Sequence, residues 1–245
     1  MLARTIIRRG VRDEGERPFW ISFADLMTAC MTVFLIVMAV TIVAMKEEVK
    51  AVANATRLTQ QRQAEIEEFA NRLKKSSEEV RPYVKVSIIK DTVRIDLGSA
   101  ANFVSGSADL SAGGAKFLRA YFPRVLEAAS TDLGKKWLKR IVVEGFTDTD
   151  GTYLFNLDLS LQRSRKVVCA MFAPAAEGER RMSRAELEQI RDLFLVGGYS
   201  FNSVQASKAK SRRVELKLEF WQLGEKEQMN KQPKPDLAGK EFGKC

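Results

Sequence analysis

One carboxylate lies in a stretch of sequence that is otherwise apolar. Residues 19–45 read FWISFADLMTACMTVFLIVMAVTIVAM, and Asp25 is the only acidic or basic residue among them. A helix from Ile21 to Met45 would be about 37 Å long, enough to cross the hydrocarbon core of a bilayer with some tilt. Because a carboxylate in such a helix costs free energy on insertion, it usually serves a function. We therefore predict that Asp25 carries an ion, a proton rather than sodium. The alternative is that it caps or pairs at the membrane boundary.

The residues that share the helical face of Asp25 are small or polar. Ser22, Thr28, Ala29 and Thr32 lie three, three, four and seven positions away from it, which places them on one side of a helix. Small residues let a second helix approach closely, and hydroxyl groups can hydrogen-bond across such a contact. We predict that these four residues line an ion path and a helix-packing surface.

Basic residues set the expected orientation of this helix. Arginines precede the apolar stretch at Arg4, Arg8, Arg9, Arg12 and Arg17. By the positive-inside rule the N-terminus is cytoplasmic, and the residues after 45 lie outside the inner membrane, in the periplasm. A cleaved signal peptide is the alternative, but the apolar stretch is too long for one.

A second set of polar residues recurs with helical spacing. Asn156, Leu159, Ser160 and Arg163 lie at positions i, i+3, i+4 and i+7 of NLDLSLQRSRKVV, so they share one face of a helix. Asp148 precedes them in the segment TDTDG, at the entrance to that helix. The sequence therefore predicts that the carboxylate of Asp148 and the guanidinium of Arg163 lie near the same end of this helix.

Composition excludes several classes of function. The chain has 245 residues, a net charge of +9 and no histidine, which rules out a Ser-His-Asp triad and a histidine-based metal site. Its basic residues are spread along the chain, unlike the basic stripe of a nucleic-acid binder. Cys30, Cys169 and Cys245 are far apart and form no C-x-x-C pair, so neither a zinc site nor a disulfide is expected. We expect no enzyme activity, no catalytic residue, no metal and no cofactor.

The remaining sequence predicts a helical linker and one α/β domain. Residues 46–82 are rich in helix formers, with a sparse apolar stripe that suits either self-pairing or a solvated connector: Val49, Val52, Leu58, Ile66, Phe69 and Leu73. Between 83 and 222, strands alternate with helices, which predicts an α/β sandwich with helices on one face. The expected elements are two strands around Lys90-Asp91, a helix over 111–129, the strand RIVVEGF, a helix near Asn156, a helix capped by Ser183 through SRAELEQIRDLFL, and the strand RRVELKLEFWQL. Residues 223–245 are expected to form a loose polar tail, and residues 1–18 and 19–45 the cytoplasmic segment and the transmembrane helix.

Three separated motifs resemble those of OmpA-like peptidoglycan-binding domains. VEGFTDTDGTYLFNLDLSLQRSRKVV is similar to that family's strand ending in G-H-T-D, glycine-containing loop and N-x-x-L-S-x-x-R-A helix. ANFVSGSADLSAGGAKFL and SRRVELKL resemble two further family segments. Phe146 stands where the family usually has histidine, Ser164 where it has alanine, and residues 173–193 are longer than the family norm.

This resemblance implies a ligand. It would be the stem peptide of peptidoglycan, whose meso-diaminopimelate end carries an ammonium and a carboxylate. Arg163 would bind the carboxylate through paired hydrogen bonds, and Asp148 would bind the ammonium; the alternative is a salt bridge between these two residues. The implied binding set also contains Phe155, Asn156, Leu159 and Ser160, with Phe103, Thr147, Arg212 and Arg213 as possible members.

The apolar segment carries a second resemblance. FWISFADLMTACMTVFLIVMAV is similar to the W-x-x-S-F-A-D-L-M-T-x-x-M-x-F-F-x-x-M motif of stator-type B subunits, among which those of Zorya anti-phage systems fit best. The resemblance implies a homodimer inside a pentameric ring of A-type membrane subunits, ion passage that turns the ring, and an indirect effect on cytosolic defence effectors without nucleic-acid contact. A flagellar stator B subunit and a passive membrane-tethered wall anchor are the alternatives.

Overall fold

A computed structural model of the chain describes residues 17–80, 83–101, 103–231, 233, 237 and 239–245. The predicted orientation signal at Arg4, Arg8, Arg9 and Arg12 lies outside these residues. The chain divides into two compact units, Met1–Arg57 and Leu58–Cys245.

Helix α1, Arg17–Ser76, is long because no proline or glycine interrupts the sequence from residue 19 to residue 76. It is the one helix in the described part of the chain that is long and apolar enough to cross a membrane, with a mean hydropathy of 2.5 over its apolar window. In the first unit its side chains from Trp20 to Arg57 are exposed. This agrees with a surface that lipid or a partner subunit would cover.

The end of α1 belongs to the second unit. Ile66, Phe69 and Leu73 are 0%, 2% and 0% exposed, and the Phe69 ring meets the Phe220 ring edge-on at 5.6 Å. The predicted linker over 46–82 therefore supplies its second half to the core of the domain. Self-pairing through these three residues, which the sequence left open, is wrong, because their side chains are already buried.

A five-stranded sheet forms the centre of the second unit. Its strands are β1 Lys85–Ile89, β2 Thr92–Asp96, β3 Leu138–Gly145, β4 Phe194–Gly198 and β5 Val214–Phe220. They lie in the order β1-β2-β5-β3-β4, with β3 and β4 parallel and all other neighbours antiparallel.

Further helices lie in the described part of the second unit. They are α2 Ala112–Ser130, α3 Asp132–Trp137, α4 Tyr153–Phe172, α5 Arg184–Leu193, α6 Lys208–Ser211 and α7 Glu225–Asn230, with 3₁₀ turns at Glu78–Val80 and Gly98–Ala101. Side-chain oxygens of serine or threonine cap the N-termini of α2 to α6. Ser183 caps α5 as the sequence predicts, in a reciprocal capping box with Glu186.

Alternation along the strands separates a core face from a charged face. Val93 and Ile95 of β2 pair with Leu218 and Leu216 of β5, and all four are fully buried. The intervening positions carry charges joined by ion pairs, such as Arg94 with Glu144 and Arg140 with Glu219. The predicted α/β class with a single long apolar helix before it is confirmed.

Three expectations need correction. The segment Phe194–Gly198, partly assigned to a helix, is strand β4, because α5 ends at Leu193 and the chain then pairs in parallel with β3. The tail beyond 222 is not uniformly loose, since α7 forms there. Cys245 is also bonded to Cys169 with their Cα atoms 5.8 Å apart. The expectation of no disulfide is therefore wrong, and Cys30 is the free cysteine.

Candidate functional site

Asp25 lies on an exposed part of α1 with its neighbouring threonines turned toward the helix backbone. The Thr28 hydroxyl donates to the carbonyls of Ala24 and Asp25 at 3.0 and 2.8 Å, and the Thr32 hydroxyl donates to that of Ala29 at 2.8 Å. Each hydroxyl proton is thus used within the helix, while the oxygen lone pairs stay able to accept a hydrogen bond. Ser22 and Ala29 are exposed on the same helix.

The second site is built where β3 and β4 end against α4. A Cβ added to Gly145 would lie 2.0 Å from the Ser160 carbonyl oxygen, and one added to Gly198 would lie 2.7 Å from the Leu161 backbone nitrogen. Only glycine permits this close approach. The Ser160 hydroxyl accepts from the Ser200 N–H at 3.0 Å. These contacts fix the start of α4 beside the loop that follows each strand.

Asp148 leaves β3 in this loop and is tied on both carboxylate oxygens. Arg212 Nη1 donates to Oδ2 at 2.7 Å, and the Asp150 N–H donates to Oδ1 at 3.1 Å. Lys208 pairs with Asp150 at 2.5 Å. Burial by itself would raise the pKa of Asp148, but the hydrogen bonds from Arg212 and Asp150 and the charges of Arg212 and Lys208 hold that pKa below its ordinary value. Asp148 is therefore an anion at neutral pH.

Arg163 lies beneath this loop and is fully buried, at 0% exposure. Its guanidinium donates to the backbone carbonyls of Ser107, Phe146 and Val104 at 3.0, 3.3 and 3.2 Å. It also sits 5.4 Å from the centre of the Phe103 ring. Burial lowers the pKa of Arg163 to about 10, so the group is charged at neutral pH. Arg163 joins the segment 103–107 to the start of the loop.

The alternative of a salt bridge between Asp148 and Arg163 is wrong in the described part of the chain. Asp148 pairs with Arg212 instead, and the Arg163 donors go to carbonyl oxygens. The two residues lie near enough for the charge of Asp148 to raise the pKa of Arg163 against the effect of burial.

Two buried polar atoms beside the loop have no hydrogen-bond partner. They are Thr147 Oγ1 and Asn156 Oδ1, in side chains that are 1% and 0% exposed. The Asn156 amide nitrogen is used, since it donates to the carbonyls of Asp150 and Thr152 at 2.8 and 3.1 Å. A buried polar atom without a partner costs free energy, so a ligand group that reached these oxygens would gain binding energy.

The other predicted residues differ in exposure. Phe155 is 52% exposed, whereas Leu159 and Ser160 are 7% and 0% exposed. Arg213 lies 4.1 Å from the centre of the Phe146 ring and pairs with Glu215 at 2.6 Å. Phe146 also stacks on Tyr199 at 5.5 Å. The phenylalanine at the usual histidine position thus packs between two loops, and Arg213 is a supporting residue.

Sequence reasoning named Arg212 as a possible member of the binding set but missed Lys208 and the ion pairs that the segment around α6 makes. Lys208 begins α6 and pairs with Asp150, and Arg212 follows α6 and pairs with Asp148. Ser200 was also missed: its carbonyl accepts from the Thr147 N–H at 2.9 Å. The basic cluster SKAKSRR was a visible signal, but only the fold shows which acidic residues it meets.

Comparison with solved structures gives several partial matches. They include the cell wall anchor of the T6SS from Pseudomonas aeruginosa (20% identity, 62% of this chain and 97% of that chain, TM-score 0.41) and the periplasmic domain of MotB, residues 64–256 (14%, 60% and 73%, 0.43). A MotB-like protein from Desulfovibrio vulgaris is a third (17%, 66% and 96%, 0.41).

Comparison of sequences identifies the family. No model of a known protein family matches the chain. Over 220 residues the chain is 41% identical to the Zorya protein ZorB of Escherichia coli O139:H28 (strain E24377A / ETEC), covering 90% of this chain and 87% of that protein. This chain therefore belongs to the Zorya ZorB family.

Proposed function

We propose that the chain is the wall-anchored B subunit of a proton-driven, rotary stator-like unit that defends cells against phage. Membership of the ZorB family supports the role in defence. The observation that carries the proposal is Asp25, the single charged residue in the apolar stretch 19–45 of the one described helix that can cross a membrane. A carboxylate in that position costs free energy when the helix inserts into the membrane, and it would have no function in a passive anchor.

Asp25 would act by gaining and losing a proton. In the neutral state it can leave a polar partner, and in the charged state it is drawn back to one. Each proton that crosses the membrane releases about 2.3 kcal/mol per 100 mV, several times the thermal energy. The free lone pairs of Thr28 and Thr32 can accept hydrogen bonds from water or from the protonated carboxyl group.

The proposed division of the chain follows from this role. Residues 1–18 are cytoplasmic, 19–45 span the inner membrane, 46–82 connect and add their second half to the core of the domain, 83–222 bind the wall and 223–245 follow as a tail. The Cys169–Cys245 disulfide supports a periplasmic location, because such bonds persist in oxidising compartments.

The wall-binding role rests on the loop between β3 and α4. Its negative charge at Asp148 can take the ammonium of a diaminopimelate stem peptide, and the unpartnered oxygens of Thr147 and Asn156 offer further acceptors. Exposed Phe155 stands at the same helix end. Arg163 contributes a buried positive charge below the loop, and its direct contact with the ligand stays a prediction.

The proposed partners are a second copy of this chain, a pentamer of A-type membrane subunits and peptidoglycan. The small face of α1 with Ser22 and Ala29 suits close helix contact. Cytosolic defence effectors would respond indirectly. A flagellar stator is the second candidate for the same machinery, but the ZorB relationship favours defence.

Wall binding is tested by co-sedimenting the full chain, in detergent micelles, with purified peptidoglycan sacculi. Asp148→Asn should weaken binding at least about 30-fold, because it removes the charge that pairs with the ligand ammonium. Asp158→Asn is the matched control, since Asp158 is an exposed carboxylate on α4, the helix that follows the loop of Asp148. Equal binding by Asp148→Asn and the parent chain would exclude this site.

A further inference from the structure

The two arginines of the candidate site differ in their access to a ligand. Arg163 is 0% exposed and donates to three backbone carbonyls. The Arg212 side chain is 25% exposed, and in the described part of the chain its one hydrogen bond runs from Nη1 to Asp148. A guanidinium has five N–H donors, so Arg212 keeps donors that can face solvent.

The Asp148–Arg212 pair occupies the groups that a ligand would need. The Asp148 side chain is 7% exposed, and its Oδ2 atom is held by Arg212 at 2.7 Å. A ligand with an ammonium alone would have to displace Arg212 and leave that guanidinium without its anion. This loss is costly for a partly buried charge.

We propose that the ligand exchanges this internal ion pair for two intermolecular pairs, its ammonium with Asp148 and its carboxylate with Arg212. The inference rests on the proposed wall-binding function and deepens it. It assigns to Arg212 the carboxylate contact that the sequence predicts for Arg163. The two new pairs replace one old pair without leaving any charge uncompensated, so the site selects an end group that carries both charges.

Position in the fold makes the exchange feasible. Arg212 follows directly after α6, a helix of only four residues, and Lys208 at its start is tied to Asp150 by a pair in which both side chains are 60% exposed. The Arg213 side chain next to Arg212 is fixed by Phe146 and Glu215. The backbone at Arg212 is therefore anchored, while the side chain itself has room to turn from Asp148 to a ligand.

The experiment measures dissociation constants of the full chain in detergent micelles by saturation-transfer NMR, with meso-diaminopimelate and cadaverine as probes. Cadaverine has the ammonium groups but no carboxylate. The parent chain should bind meso-diaminopimelate at least about 10-fold more tightly than cadaverine. Arg212→Ala should lose that preference: its affinity for meso-diaminopimelate falls about 10-fold, while cadaverine binds as well as or better than before, because Asp148 no longer has an internal competitor.

Two variants control the test. Lys210→Ala removes an exposed positive charge two residues away and should keep the parent's preference, and Arg212→Lys should restore part of it. An Arg212→Ala chain that still prefers meso-diaminopimelate by the parent's ratio would overturn the exchange but leave wall binding intact. If the parent chain bound neither probe nor sacculi, both the exchange and the proposed wall-binding function would fall.

Discussion

At the scale of single residues, the buried charge of Arg163 holds backbone segments together. Three carbonyl groups from two separate segments depend on it. The positive charge lies under the loop of Asp148, whose carboxylate raises the pKa of Arg163 against the effect of burial. An Arg163 variant that loses function must therefore also be tested for stability.

Arg163→Ala should lower the free energy of unfolding by on the order of 3 kcal/mol, because it leaves buried carbonyls without donors and opens a cavity. Chemical unfolding of the full chain in detergent, followed by tryptophan fluorescence, measures this. Arg165→Ala, at an exposed position of the same helix, should change it by less than about 0.5 kcal/mol. Similar values for both variants would show that the carbonyl contacts do not stabilise the domain.

At the scale of elements, the end of α1 is fastened to the domain by a carboxylate. Glu65 accepts from Lys136 Nζ at 2.5 Å and from Trp137 Nε1 at 2.6 Å. The hydrogen bond from Lys136, followed by that from Trp137, lowers the pKa of Glu65 from 4.5 to about 2. This contact attaches α1 to α3, close in sequence to the buried apolar residues of α1 that begin at Ile66.

The pH dependence of stability should reveal this contact. Because the pKa is lower in the folded state, ionised Glu65 stabilises the fold above about pH 4.5, and the effect disappears as the pH falls toward 2. The difference in unfolding free energy between the parent and Glu65→Gln should therefore be largest at pH 5 and above and shrink at lower pH. A difference that stayed constant from pH 6 to pH 2.5 would contradict the assignment.

Local signals explain why most elements could be predicted. The Ser183 cap, the Lys90-Asp91 turn and the alternation in RRVELKL depend on neighbours in sequence, and each forms as expected. The boundary between α5 and β4 could not be predicted, because the apolar run that begins at Leu193 is compatible with a helix and with a strand. Pairing with β3, which is distant in the sequence, makes it a strand.

The site could be predicted only in part, because several of its residues contact partners that are far away in the sequence. Helical spacing placed Asn156 and Arg163 on one buried face, but nothing local shows that Arg163 would find carbonyls or that Arg212 would meet Asp148 across 64 positions. The disulfide joins residues separated by 76 positions. Spacing alone does not reveal this bond.

At the scale of the whole molecule, the disulfide indicates the kind of compartment in which the domain lies. Cys169 lies in α4 and Cys245 lies in the tail, where Phe242 also packs on Phe172 at 5.1 Å. An oxidising compartment lets this bond form, which agrees with a periplasmic domain and a cytoplasmic N-terminus.

Counting reactive thiols tests that orientation. Denatured protein taken from cells without reduction should accept one maleimide, at Cys30, and three after reduction. Cys245→Ser should accept two without reduction and should be less stable by about 2–4 kcal/mol. Three reactive thiols in the unreduced parent chain would place the domain in a reducing compartment.

Asp25→Asn tests whether Asp25 carries the proton that drives the unit. The amide keeps the size and hydrogen bonding of the carboxyl group but cannot take up or release a proton. In cells that carry the complete defence system, this variant should insert, co-purify with its A-type partner and bind sacculi like the parent, yet lose all protection in a phage plaque assay. Asp25→Glu should keep a small part of the protection. Full protection by Asp25→Asn would contradict the account, because Asp25 would then be structural and the chain a passive anchor.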